Sequence, residues 1–160
     1  MAADYLVKLY DLPSSEEITR KMKKEGVTIH RAMGLDRTRI LDFIRENFYD
    51  AWVDETTVAL SQQPLTCFIA VKDKKVVGFA CYDATAKGFF GPTGVQESMR
   101  GKGVGTALLY RTLEAMREAG YGYAVIGWVT DAVEFYLKAL DAIEIPDSFP
   151  GVYKNMIEQN

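Results

Sequence analysis

Residues 100–106 read Arg-Gly-Lys-Gly-Val-Gly-Thr, with glycines at alternating positions 101, 103 and 105 between two cations and a hydroxyl. Backbone N–H groups at a helix start have no partner within the helix and carry the positive end of its dipole, so phosphate or carboxylate oxygens bind there readily. Glycine lets an anion approach the backbone and permits the positive φ angles that turn successive N–H groups inward. Glycines directly before a helix weaken it unless they serve a purpose. A phosphate cradle therefore explains Gly101 to Thr106 better than a flexible connection does, with Arg100 and Lys102 adding charge at its rim.

The spacing excludes two common phosphate binders. A P-loop needs Ser or Thr after Gly-Lys and a glycine where Gln96 stands, but Lys102 is followed by Gly103. A dinucleotide fingerprint needs Gly or Ala where Thr106 or Leu108 stands, and should open a βαβ series. The two cysteines, Cys67 and Cys81, lie in separate apolar runs that read as the arms of one hairpin, and two reduced core thiols are expected. Neither has CxxC spacing, and with His30 as the only histidine no metal site is expected. His30 itself falls in a predicted strand and takes a structural or surface role.

These residues need a scaffold, and the hydrophobic pattern supplies one. "YLVKLYDLP" reads as a short strand, and Ser14 with Glu17 forms a capping-box pattern opening a helix that closes near Gly26. "VTIHRAM" alternates as a strand; "DRTRILDFIRENF" places Ile40, Leu41, Ile44 and Phe48 on one helical face; a second helix runs from about residue 51 to 60. Three strands then form an antiparallel meander, ending in "KGFFGPTGV". After the glycine loop, Val104, Leu108, Leu109, Leu113 and Met116 repeat at helical spacing until Gly120, a C′ cap. "YGYAVIGWV" is a nearly continuous apolar run, as in a strand covered on both faces beside a parallel neighbour. A short helix over about 131–140 and two short strands in the Pro-rich end complete the order. The fold class is α+β, with one parallel strand–helix–strand unit inside a mixed, mostly antiparallel sheet flanked by helices.

Composition sets the limits. The 160 residues, 48% apolar, suit one globular domain that buries roughly 70% of the surface its unfolded chain exposes. Nineteen basic against 22 acidic residues give a net charge of -3, so nucleic acid is not an expected partner. No apolar run reaches the ~18 residues needed to span a bilayer, and the N-terminus lacks a leader pattern, so a soluble, cytoplasmic protein without a membrane partner is expected.

Val95 through Leu109, "VQESMRGKGVGTALL", resembles the acetyl-CoA loop of the GNAT superfamily of N-acetyltransferases, whose pattern Arg/Gln-x-x-Gly-x-Gly/Ala is filled by Arg100, Gly103 and Gly105. The resemblance runs from about Val27 to Tyr153, including "EFYLKAL", similar to the family's Phe-Tyr helix. It implies a single acyl-CoA N-acyltransferase domain over residues 1–160, of the GNAT-like α/β sandwich type, with residues 1–26 as a βα extension. It implies that the amides of Gly101, Lys102, Gly103, Val104, Gly105 and Thr106 bind the CoA pyrophosphate. The strand ending at Val95, with Thr93, would pair with pantetheine and the acetyl carbonyl. Acetyl-CoA is then a cosubstrate, no metal is required, and the acceptor is a small-molecule or peptide amine; a homodimer is left open.

The implied chemistry is direct attack of an amine on the acetyl carbonyl. By the resemblance Tyr136 donates a proton to the departing sulfur. By its position alone it is an aromatic on the core face of a short helix. The family's frequent carboxylate on the strand before the loop is missing from "GFFGPTGV", which leaves the base unassigned. Asp83, Asp54 and Glu55 lie on segments that border an acceptor cleft, and each also reads as a surface charge. The family's Asn before the Tyr helix and its Gly-Phe ending are absent too. Alternatives are an acyltransferase using another acyl-CoA or acceptor, and a CoA-binding sensor or scaffold without turnover.

Overall fold

Alternation along β3 (Cys67–Lys72) sends Phe68 and Ala70 to one side of the sheet and Cys67 and Ile69 to the other, and each set joins a separate buried cluster. A computed structural model describes residues 1–157. The remaining elements are β1 (Ala3–Lys8), α1 (Glu16–Lys24), β2 (Val27–Arg31), α2 (Arg37–Asn47), α3 (Asp50–Ala59), β4 (Lys75–Tyr82), β5 (Phe89–Val95), α4 (Val104–Glu118), β6 (Tyr123–Val129), α5 (Val133–Leu140) and β7 (Ile143–Ile145). One seven-stranded sheet results, in the order β2-β3-β4-β5-β6-β1-β7. The pair β5–β6 is parallel and its other pairs are antiparallel. Buried side chains of α4, with Met22 of α1 and Tyr136 of α5, fill the core on one face; Ile40 and Ile44 of α2 and Ala59 of α3 fill that on the other.

The expected α+β class and its single parallel strand–helix–strand unit are therefore present, but two local expectations change. The N-terminal βα unit joins the sheet, where β1 lies between β6 and β7, pairing with both, and its first three residues are buried. The Pro-rich end supplies one strand of three residues, followed by a 3₁₀ turn at Gly151–Tyr153, because β1 takes the place next to β6 that a second C-terminal strand would need. β6 is buried on one face only, with Ala124 and Ile126 in the α4 core while Val125 and Gly127 are half-buried, since its other face borders an opening described below.

At the ends of the helices, local chemistry also departs from pattern. Ser14 Oγ accepts the Glu16 N–H at 3.2 Å, but Ser15 is the N-cap and turns its hydroxyl to Glu114 at 2.9 Å, so the Ser14–Glu17 box does not close. The α4 terminus matches expectation: Gly120 N–H donates to Arg117 O at 3.0 Å and Tyr121 N–H to Met116 O at 3.1 Å, the paired bonds of a Schellman cap. Cys67 and Cys81 face each other across the β3–β4 hairpin as free, buried thiols; the neighbouring Cys81 and then burial push the Cys67 thiol up.

Candidate active site

β5 and β6 pair only at Phe89–Val125 and Phe90–Ile126, although β5 continues to Val95 and β6 to Val129. Beyond Phe90 the chain reaches Gly91, at φ +115, and Pro92, which has no N–H to give a ladder. On the other strand Trp128 turns into the left-handed region at φ +52. Both strands thus leave the pairing at the same level, and a V-shaped opening follows. The other edge of β5 stays fixed to β4, with Thr93 opposite Ala80 and its hydroxyl donating to Phe79 O at 3.0 Å. Gly94 lies under Phe48, where a Cβ would meet the ring at 2.6 Å.

Directly after β5 the chain makes a 3₁₀ turn over Glu97–Met99 and enters the glycine loop. Gly101 and Gly103 take φ +76 and +95, and Gly103 is the N-cap of α4. The first helical bond of α4 runs from Ala107 N–H to Gly103 O at 3.0 Å. The amides of residues 101 to 106 donate to no acceptor among the described residues. Six successive N–H groups at the start of a 15-residue helix are what an anion cradle requires. The walls are side chains from two other helices: Met22 of α1 stands beside Gly103 and Phe135 of α5 beside Gly105. Val104 is the anchor, 1% exposed in the core. Thr106 is half-buried, while Gly101 and Lys102 are exposed. Next to the loop, Lys21 of α1, Lys72 of β3 and Lys102 line an open groove of about 580 Å³.

Arg100 is exposed, and its Nε donates to Val95 O at 3.0 Å. That bond occupies one acceptor of Val95, a residue expected to pair with pantetheine, and leaves the other guanidinium N–H groups for a phosphate.

On the α4 face of the sheet, Tyr136 is 7% exposed and belongs to the core cluster. Burial pushes its phenol up to about 12, so it is protonated at neutral pH, and the hydroxyl makes no hydrogen bond to another described residue. The three carboxylates considered for the base have different fates. Asp83 accepts the Gly88 N–H at 2.8 Å and the Tyr121 hydroxyl at 2.9 and 2.8 Å, which pins the start of β5 to the turn before β6. Asp54 is exposed. Glu55, one turn after Trp52 on α3, is half-buried and accepts a hydrogen bond from Thr85 Oγ1. Burial raises its carboxyl above the ordinary range, against the lowering effect of Thr85. His30 is exposed on edge strand β2, away from the opening.

Four residues near the opening had no case in the sequence: Asp4, Thr85, Trp128 and Tyr153. An acidic residue inside the apolar strand "ADYLVK" was the one available signal; the others sit in runs where an aromatic or Thr carries no distinguishing spacing.

The profile of the acetyltransferase (GNAT) family matches residues 35–141. The chain belongs to this family. Among solved structures, a glucosamine N-acetyltransferase region of a fungal multi-domain GH3 β-N-acetylglucosaminidase superposes with a TM-score of 0.72 at 14% identity, covering 90% of this chain and 20% of that one. A GCN5-related N-acetyltransferase from Sphaerobacter thermophilus gives 0.68 at 22% identity, covering 90% and 48%. A GNAT family acetyltransferase from Brucella melitensis, solved in complex with acetyl-CoA, gives 0.52 at 22%, covering 68% and 80%. The GNAT chain thus spans about a fifth and about half of the first two neighbours, and at these identities the likeness is one of fold. No curated protein is similar in sequence. In the glycine loop a Cβ at Gly101 would meet nothing within 4 Å, and one at Gly105 only Val95 and Phe135 at 3.7 and 4.0 Å. Packing does not require glycine at either place, though the φ of +76 does at Gly101, and the space beside both is open.

Replacing Arg100 tests what the rim binds. Arg100→Ala is expected to weaken acetyl-CoA binding by roughly 1 to 2 kcal/mol if the guanidinium meets phosphate. Calorimetry with CoA and dephospho-CoA locates the contact: a smaller loss for dephospho-CoA assigns it to the ribose phosphate, and equal losses to the pyrophosphate or the general field.

Proposed function

We propose that this GNAT protein transfers the acetyl group of acetyl-CoA to a primary amine by direct attack in a ternary complex. The observation that carries the reading is the row of six amides, Gly101 to Thr106, without an acceptor among the described residues, at the end of the strand that borders the β5–β6 opening. In that reading the loop holds the pyrophosphate, Thr93 and Val95 lie along pantetheine, and the thioester enters the opening from the α4 face. Acetyl-CoA supplies an activated carbonyl and a thiolate leaving group. The chain supplies position and proton control, since an alkylammonium with a pKa near 10 must lose a proton before it attacks. Tyr136, buried on the α4 face, is the residue whose phenol hydrogen-bonds the sulfur as the C–S bond breaks in this reading.

A panel of primary amines, polyamines, amino sugars and peptides, each assayed for CoA release with acetyl-CoA, tests the function. Saturable release with at least one amine, and an acetylated product by mass spectrometry, is the expected result. Tight acetyl-CoA binding with no release across the panel would replace the transferase by a CoA-binding sensor or scaffold. Absence of acetyl-CoA binding would remove both.

A further inference from the structure

Beyond the last β5–β6 pair, on the α3 face of the sheet, β6 carries a bulge. Ala3 opposes Val129 and Tyr5 opposes Ile126, so Gly127 and Trp128 together face Asp4. Bulges re-aim side chains, and this one does: Trp128 takes φ +52, a conformation bulky residues rarely adopt. Asp4, 6% exposed, holds it there by accepting the Trp128 N–H at Oδ1, 2.9 Å away. The indole leaves the α4 core and packs edge-on against Tyr153 and Phe149, with ring centroids 4.9 and 5.1 Å apart.

Tyr153 completes the arrangement. Its phenol oxygen lies against Gly127, one residue past the last β6 residue paired with β5, and any Cβ at 127 would collide with it. Glu55, on α3, is near enough for its charge to act on the same phenol. The Thr85 hydroxyl donates to Glu55 Oε2. Burial, then the charges of Glu55 and Asp4, push that phenol well up, so it is a neutral donor at working pH. Neither carboxylate has a cationic partner among the described residues. A partly desolvated Glu55 and a buried Asp4, neither with a counter-charge among the described residues and with the Trp128 indole packed beside them, suit a cationic guest.

We propose that Glu55 is the base of the acetyl transfer, and that its acceptor is a protonated primary alkylamine seated against Trp128 and Tyr153 with Asp4 as a second counter-charge. The inference rests on the transfer reading above and names the acceptor's charge state and the residue that removes it. Glu55 takes one proton from the ammonium. The nitrogen lone pair then forms the C–N bond as the C–S electron pair leaves on sulfur. The second nitrogen proton ends on the CoA thiol, and the proton on Glu55 is released to solvent.

The test compares wild type with Glu55→Gln, which keeps shape and can still accept from Thr85. Because folding raises the Glu55 carboxyl, the native state binds that proton better than the unfolded chain does, and stability falls as pH rises through the raised value. The groups facing Glu55 there are Thr85, Tyr153 and, across Tyr153, Asp4. Glu55→Gln should therefore melt no lower than wild type at pH 7. With the best alkylamine of the panel, kcat/KM is expected to fall at least 100-fold. With methoxyamine, already neutral at pH 7, it should fall less than tenfold, and the acetyl-CoA Kd should stay within twofold. Asp4→Asn, whose amide oxygen can still hold Trp128, should raise KM for the alkylamine several-fold with kcat retained. Alkylamine turnover in Glu55→Gln within threefold of wild type, or equal losses on both amines, would overturn this inference alone. A wild type that binds acetyl-CoA but acetylates no amine would overturn it together with the transfer reading.

Discussion

Tyr136→Phe is expected to lower kcat by about 10² or more while leaving acetyl-CoA affinity nearly intact. If the phenol hydrogen-bonds the departing sulfur, its contribution exists only while the C–S bond breaks, so the loss belongs in kcat rather than in ground-state binding. With the phenol pushed up to about 12 and an ordinary thiol near 8.5, complete transfer from tyrosine to sulfur is uphill. The useful event is a strengthening hydrogen bond, followed by the amine's second proton. Phenylalanine keeps the ring in the α4 core. The hydroxyl makes no hydrogen bond to another described residue, so its removal should leave the melting temperature nearly unchanged. A normally folded Tyr136→Phe protein with wild-type kcat would assign Tyr136 to packing and leave water as the proton source, without touching the loop.

Gly103→Val should weaken acetyl-CoA binding at least tenfold, since a branched side chain at the N-cap blocks close approach of the pyrophosphate. The structure adds a second consequence. Gly103 holds φ +95, and a Cβ there would press on Met22 Cε at 3.2 Å, so valine is also strained, by about 1 to 2 kcal/mol. Gly105→Ala is the control. Gly105 sits in the first turn without a positive φ, its Cβ would make ordinary contacts at 3.7 and 4.0 Å, and the family pattern accepts Gly or Ala at this position. This variant should melt as wild type and keep its acetyl-CoA affinity. Calorimetry reads both variants, and unchanged affinity in a folded Gly103→Val protein would end the cradle assignment.

Local pattern was a good guide wherever one residue type does one job. The helical spacing of Val104, Leu108, Leu109, Leu113 and Met116 matches α4, and residues 101 to 106 carry their own geometry because glycine conformation is largely a property of the residue. Gly91 and Pro92 likewise mark where β5 stops pairing with β6. The sequence also carried the family pattern through Arg100, Gly103 and Gly105, and the family profile matches residues 35–141.

Long-range pairing was not legible. That β1 inserts between β6 and β7, so that Asp4 meets Trp128 across 124 positions of chain, depends on sheet register rather than on any spacing within a window. The same holds for Glu55. In sequence it is one acidic residue on an amphipathic helix, indistinguishable from Asp54. The fold turns Asp54 to solvent and brings Glu55 to the Thr85 hydroxyl. Residue type and local φ preference determined by themselves the shape of the glycine loop proposed to hold an anion. Which carboxylate is desolvated beside the opening was decided by tertiary structure, because desolvation depends on what other segments exclude water from that place.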